Sequence, residues 1–363
     1  MSEEPSKMHA ADWTDFKIGD ESIAPGSQAD VGLPITTLAT GYDSQLAVRV
    51  LHGAKPGPTV FISGAIHGNE LNGTAIVQRL AAQIDAGNLA GTLLLVPVAN
   101  IFGFLTRSRY LPDRRDLNRS FPGSAGGSLA AQVANVFFSE IVNRASLGID
   151  IHTAAIHRYN LPQIRIAAGN ERLLELARAF GAPVIIESPL RDGSLRALAD
   201  SEGVDMLLME AGEALRFDRF SIQTGVAGVK RVLAHLAMIE QGAELLELHP
   251  SARSKKTQWV RSPRGGVSHR VRKSGDAVRK GDLLAAVTGL LGEDPEEILS
   301  PIDGIIIGHA TLPVVHQGDA MFHIAQVEDA QRLGERIESL SDAIYAGETG
   351  GFAETLLDED EVL

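Results

Sequence analysis

The sequence predicts an α/β protein, a mixed and mostly parallel sheet with helices on both faces, followed by a smaller all-β module. Three observations carry this. Apolar runs of strand length recur through the first two thirds of the chain. Stretches with helical spacing separate them, the alternation expected of a parallel sheet. Near Pro250 the pattern changes to short strands broken by Gly-Gly and Gly-Asp turns.

The elements follow in order. Residues 1 to about 30 are polar and rich in Ser, Asp and Gly, and are expected to form an N-terminal arm. The main domain is expected over 31–252. Leu46-Ala-Val-Arg-Val-Leu reads as its first strand, and Gly57-Pro58 as a turn. Thr59-Val-Phe-Ile-Ser-Gly-Ala-Ile is apolar without alternation, which suits a strand buried on both faces. A helix is expected from about Asn72 to Ile84 and a strand at Thr92-Leu-Leu-Leu-Val-Pro-Val-Ala. A second helix is expected from Ser128 to Val142. Strands follow at Gly148-Ile-Asp-Ile, Ile164-Arg-Ile-Ala, Val184-Ile-Ile and Met206-Leu-Leu-Met. Ser251-Ala-Arg-Ser-Lys-Lys-Thr is polar and basic, and reads as a linker or hinge. A compact antiparallel barrel or sandwich is expected over 253–330. Its half-repeats begin at Val278-Arg-Lys-Gly-Asp and Val314-Val-His-Gln-Gly-Asp. A helix and an acidic tail complete the chain over 331–363.

Composition narrows the function. Hydrophobic residues are 44% and charged residues 22%, so a sizeable core is expected. The net charge of -13 argues against non-specific nucleic-acid binding, which needs a basic surface. It also opposes an approaching anion, so an acidic substrate requires buried arginines. There are no cysteines, which removes disulfides, thiolate metal sites and a cysteine nucleophile. No apolar run is long enough to cross a bilayer, and the N-terminus lacks the pattern of a signal peptide. A soluble, cytoplasmic protein is expected.

Three residues suggest a metal site. His67 and Glu70 follow the first buried strand, in Ala65-Ile-His-Gly-Asn-Glu-Leu-Asn-Gly. His152 ends a later strand, in Gly148-Ile-Asp-Ile-His-Thr. Ligand sites of open α/β sheets form outside the carboxyl ends of strands, so both segments deliver side chains to one edge. An isolated His-x-x-Glu is more often structural. Its place after a strand, with a second strand-end histidine, favours a metal. Two imidazoles and a carboxylate suit one catalytic zinc ion per subunit with an open position. Imidazoles argue against magnesium, while manganese and cobalt stay open. Asp150 reads either as a group orienting a ligand or as a satisfied buried carboxylate. Glu210 closes the run Met206-Leu-Leu-Met and so also sits at a strand end; Glu213 is its rival.

The run Arg107-Ser-Arg-Tyr-Leu-Pro-Asp-Arg-Arg-Asp-Leu-Asn-Arg-Ser-Phe-Pro-Gly123 resembles the signature of the succinylglutamate desuccinylase/aspartoacylase family, which is related to zinc carboxypeptidases. The order His67-Gly-Asn-Glu70, Asp116-Leu-Asn-Arg, Asp150-Ile-His152, Met209-Glu-Ala-Gly212 strengthens the resemblance, which spans roughly Thr59 to Gly212. It implies a zinc carboxypeptidase-like fold and zinc on His67, Glu70 and His152. It implies Glu210 as the general base, and Asn118 and Arg119 as holders of the substrate α-carboxylate. Arg109 would stabilise the oxyanion, with Arg107 and Arg115 as alternatives. Arg196 resembles an arginine that takes a second substrate carboxylate. His157, Tyr159 and Arg165 follow the last ligand and are candidates to line the pocket.

The segment from Val267 to Ile324 resembles a lipoyl- or biotinyl-like barrel. The stretch Thr288-Gly-Leu-Leu-Gly-Glu-Asp-Pro, where such domains carry a swinging lysine, has none, so a carrier role is not supported. The resemblance implies instead that this domain covers the catalytic cleft. Histidines 269, 309, 316 and 323 read as barrel or surface residues. The expected activity is zinc-dependent hydrolysis of an amide bond in a small acidic N-acyl amino acid, with water activated by zinc and a glutamate. Trimming of glutamate tails from a peptide or protein is the alternative. A non-catalytic binding protein is a further one. Neither nucleic acid nor membrane is an expected partner, and homo-oligomerisation stays open.

Overall fold

The computed structural model describes residues 13–240, 242 and 250–346. The first residues of the expected arm, and the acidic tail beyond 346, lie outside the described residues. The rest of the arm is ordered structure: β1 (Phe16–Ile18) and β2 (Glu21–Ile23) form a hairpin whose Ile18 and Ile23 enter the core.

One sheet dominates. Its first strands are β3 (Ser27–Thr37), β4 (Asp43–His52) and β5 (Lys55–Gly64), the last followed by helix α1 (Asn72–Gln83). Then come β6 (Ala90–Val96), the short α2 (Ile101–Leu105), α3 (Leu129–Glu140), β7 (Leu147–Ala154) and β8 (Arg158–Ile166). The domain continues with α4 (Glu171–Phe180), β9 (Val184–Glu187), α5 (Leu195–Ser201), β10 (Asp205–Glu213) and α6 (Arg219–His235). In space the order is β3-β4-β6-β5-β7-β10-β8. The four central strands, β6, β5, β7 and β10, are parallel; β4 and β8 flank them antiparallel.

Burial on both faces explains the unbroken apolar runs. Val60 and Ile62 of β5 pack with α1, α4 and α6, while Phe61 packs on the opposite side with α3 and α5. The expected mixed sheet with helices on both faces is therefore present.

The stretch read as a linker is a strand. β11 (Ala252–Ser254) adds to β9 in parallel, so this polar segment extends the sheet instead of hinging. Its basic residues misled the sequence reading because edge strands carry charge as linkers do.

The β module departs from expectation as well: no closed barrel forms among the described residues. β12 (Thr257–Arg261) opens the module, followed by β13 (Gly266–Arg270), β14 (Ala277–Val278), β15 (Leu283–Thr288) and β16 (Glu296–Leu299). β17 (Gly304–Ala310), β18 (Val314–Val315) and β19 (Ala320–Ala325) complete it, and α7 (Ala330–Ala346) follows. β16-β15-β13-β18 form a separate four-stranded sheet. β12, β19 and β17 instead continue the main sheet, because β17 pairs with Arg158–Asn160 of β8. Leu284, Val287, Ile306 and Phe322 fill the space between the two layers. Hairpin spacing alone does not distinguish a closed barrel from two layers, one of them shared with a neighbouring sheet.

Candidate metal centre

His67, Glu70 and His152 meet at the carboxyl edge of β5, β7 and β10. All three are buried, and their ligand atoms lie within 4.8 Å of one another. Glu70 bridges the histidines: its Oε1 is 2.7 Å from His67 Nδ1 and its Oε2 2.9 Å from His152 Nδ1. Thr153 N–H donates to the same Oε2 at 3.1 Å. The outer ring nitrogens are also held. His152 Nε2 is 2.6 Å from Asp150 Oδ2, and His67 Nε2 is 3.2 Å from Asp116 Oδ1. Asp150 in turn accepts from Ser63 Oγ on β5 at 2.8 Å. Carboxylates behind both imidazoles fix the rings with Nδ1 facing the centre, the outer-shell arrangement typical of metal-binding histidines.

Charge is balanced inside this group. Burial pulls the Glu70 carboxyl up, but the two imidazoles outweigh it and hold the group well below the usual carboxylate range. Burial likewise disfavours the His152 cation, yet Asp150 and Glu70 raise its pKa well above the ordinary value. His67 is raised for the same reason by Glu70 and Asp116. Each buried charge has an opposite partner, the condition under which such charges are tolerated.

A close backbone approach sets the loop that carries His67 and Glu70. A Cβ at Gly68 would stand 1.9 Å from the carbonyl carbon of Gly103 and 2.1 Å from Phe104 N on α2. These are backbone atoms and cannot swing aside. Gly68→Ala is expected to destabilise the fold by about 3 kcal/mol, the upper end for overpacking, and to weaken metal binding. Thermal unfolding and metal titration check this; an unchanged midpoint refutes the packing argument.

Glu210 stands on β10 opposite His152 in the β10–β7 register. Its Oε2 accepts from Asn160 Nδ2 at 2.9 Å, and its Oε1 is 3.8 Å from Arg165 Nη1. Glu213 is occupied elsewhere. It accepts from His157 N–H at 3.0 Å and Thr311 Oγ at 3.2 Å, tying the β7–β8 turn to the β module.

Of the three candidate arginines, only Arg109 reaches the metal group. Its guanidinium is 3.3 Å from Glu70 Oε1 and 3.0 Å from Asp116 Oδ2. Arg107 and Arg115 are exposed, and Arg115 pairs with Asp113 at 3.5 Å. Asn118 and Arg119 follow Asp116 in a short turn. Asn118 Oδ1 accepts from Leu195 N–H at 2.9 Å, and the Arg119 guanidinium donates back to the Asn118 carbonyl. Ser194 caps α5 and so sets Arg196 in its first turn. The buried Arg196 donates to Ser188 Oγ at 3.2 Å and the Pro189 carbonyl at 2.9 Å. Burial, with Arg165 and Arg191 nearby, lowers its pKa to about 10, against the pull of Glu210 and Asp150. It has no carboxylate partner among the described residues.

Tyr159 does not join this group. Its hydroxyl lies 3.4 Å from Asp218 Oδ1, and its ring packs on His309 beside α7. The neighbouring Asn160 is the residue that meets Glu210. Sequence reasoning assigned no role to Asn160 or Asp116; Asp116 stands in the Asp-Leu-Asn-Arg run, but nothing local marks Asn160.

Residues 56–236 match the family model described as the succinylglutamate desuccinylase/aspartoacylase catalytic domain. The chain belongs to this family. Among family relatives, the N-alpha-acetyl-L-2,4-diaminobutyric acid deacetylase of Halomonas elongata is 27% identical over 320 residues, covering 82% of this chain and 91% of that protein. The fold is shared with solved structures. The product-bound ectoine utilization protein EutE (DoeB) of Ruegeria pomeroyi has a TM-score of 0.74 at 24% identity, over 82% of this chain and 95% of that one. A succinylglutamate desuccinylase/aspartoacylase of Rhodobacter sphaeroides has a TM-score of 0.74 at 24% identity, over 83% and 96%. Among the described residues no helix is long and apolar enough to cross a membrane.

Proposed function

We propose that this family member is a zinc-dependent deacylase that hydrolyses the amide bond of an N-acyl amino acid. One observation carries the reading: a buried His67–Glu70–His152 group with Glu210 one strand away, beside His152. The donor set suits zinc. Two imidazole nitrogens and one carboxylate converge, and each imidazole is oriented by a carboxylate behind it. When bound there, zinc supplies Lewis acidity and lowers the pKa of water.

The remaining steps belong to the side chains. Glu210, steadied by Asn160, takes a proton from the attacking water and returns it to the departing amine. Arg109 offers N–H donors to the carbonyl oxygen as negative charge develops there. Asn118, Arg119 and Arg196 hold the substrate carboxylates. Arg165 and Arg191 lie near the buried Arg196, so arginines gather here despite the net charge of -13. This supports an acidic substrate.

A panel of N-acetyl and N-succinyl amino acids and oligoglutamyl peptides tests the proposal, run with and without a chelator. The panel includes the N-alpha-acetyl-L-2,4-diaminobutyric acid that names the Halomonas relative's activity. The expected result is release of free amino acid from an N-acyl compound, lost on chelation and restored best by zinc. Cleavage of the oligoglutamyl peptides alone, or full activity under chelation, overturns it.

A further inference from the structure

Glu210 sits beside an irregularity of its own strand. β10 and β7 pair through Glu210 and His152 and resume at Glu213 and Ala154, so β10 advances three residues where β7 advances two. A bulge of this kind leaves the extra residue without its ladder partner and re-aims the side chains next to it. Gly212 takes the left-handed backbone of the bulge, with φ at +78°. Ala211 is wholly buried, so its carbonyl needs a hydrogen-bond partner from elsewhere.

One side chain supplies that partner. Asn72, at the start of α1, is 0% exposed and donates from Nδ2 to the Ala211 carbonyl at 3.0 Å. Its Oδ1 accepts from the N–H of Asp218, the cap of α6, at 3.0 Å. A single planar amide thus gives one donor to the bulge and one acceptor to the turn that follows it. The fit is close, because a Cβ at Gly212 would run into Asn72 Nδ2.

Asn72 also stands two residues after Glu70. One residue before Glu70, the Asn69 carbonyl accepts from Leu215 N–H at 2.8 Å. The loop bearing the metal group is therefore tied to the segment after Glu210 on both sides of Glu70. The tie at Asn69 is main chain to main chain and does not depend on residue type. The tie at Asn72 depends on that side chain, which is not one of the converging ligands.

We propose that Asn72 is a positioning residue for Glu210. By clamping the bulge it fixes the angle at which the carboxylate leaves the sheet, and it locks that angle to the loop carrying His67 and Glu70. The inference rests on the reading of Glu210 as general base. In the sequence Asn72 marks only the start of a helix.

Asn72→Ala is expected to lower kcat about 10²-fold, the cost of a group misplaced by about 1 Å, with KM and metal content unchanged. Wild-type kcat, or loss of the metal, overturns the proposal. Ile76→Val, a core change in the same helix, should lower the unfolding midpoint and leave kcat alone. The deciding comparison adds Asn72→Ala to Glu210→Gln. If Asn72 acts through Glu210, the second change lowers kcat no further, whereas additive losses overturn the proposal. Asn72→Asp keeps the shape and the acceptor for Asp218 N–H and loses only the donor to Ala211; it serves in the same comparisons if Asn72→Ala does not fold. A crystal structure of the variant gives a readout independent of turnover. The bond from Asn160 to Glu210, 2.9 Å in the wild type, should be broken, and an unmoved Glu210 overturns the proposal. Full activity of Glu210→Gln alone would instead count against the base reading, and the crystal structure would still decide what Asn72 holds.

Discussion

Glu210→Gln is expected to lower kcat by about 10²–10⁴, the usual contribution of general acid–base catalysis, with metal content unchanged. The substitution keeps the shape of the side chain and removes only its ability to accept and return a proton. Glu210 lies in the sheet opposite His152 but is not among the residues whose ligand atoms converge. The metal group should therefore stay intact. Elemental analysis beside steady-state kinetics checks the pair of outcomes. Wild-type turnover in the variant would remove Glu210 from the mechanism. Loss of the metal would make it a ligand instead. Glu213→Gln is the contrasting variant. Its carboxylate is engaged by His157 and Thr311, so its effect should appear in thermal stability more than in kcat.

The second large effect concerns the ligands themselves. His152→Ala should abolish stoichiometric metal binding and, with it, turnover, because a histidine and a glutamate alone make a weak site. Asp150→Asn should be milder. Asp150 touches the far nitrogen of His152 at 2.6 Å and sets its orientation. Outer-shell changes of this kind cost about 10–100-fold in metal affinity. A competition titration against a chromophoric chelator measures both. If His152→Ala binds metal as tightly as wild type, the centre lies elsewhere. If Asp150→Asn loses no affinity, the carboxylate serves the fold and not the ring.

Arg109 shows how a local signal and a spatial one divide the work. Of the four arginines within residues 107–115, the three candidates Arg107, Arg109 and Arg115 look alike in sequence, and each could serve one carbonyl. In the folded protein two are exposed, and one bridges Glu70 and Asp116. The loop geometry after α2, not the residue type, makes the choice. Tyr159 and Asn160 teach the same lesson. They are adjacent, yet the tyrosine meets Asp218 near α7 while the asparagine meets Glu210. Adjacent strand residues point to opposite faces of the sheet, and which of the two faces meets Glu210 is set by how β8 pairs with β10.

By itself the sequence determined the strands buried on both faces, the helices between them, and the strand-end positions of His67, Glu70, His152 and Glu210. These depend on short-range pattern, since apolar runs and their polar ends record which face each residue meets. Only the tertiary structure decided that the supposed linker is a strand, that the β module opens into the main sheet, and that Asn160 holds Glu210. Those outcomes depend on pairing between strands far apart in the chain. Such pairing follows from the energy of the whole sheet and is encoded in no single segment.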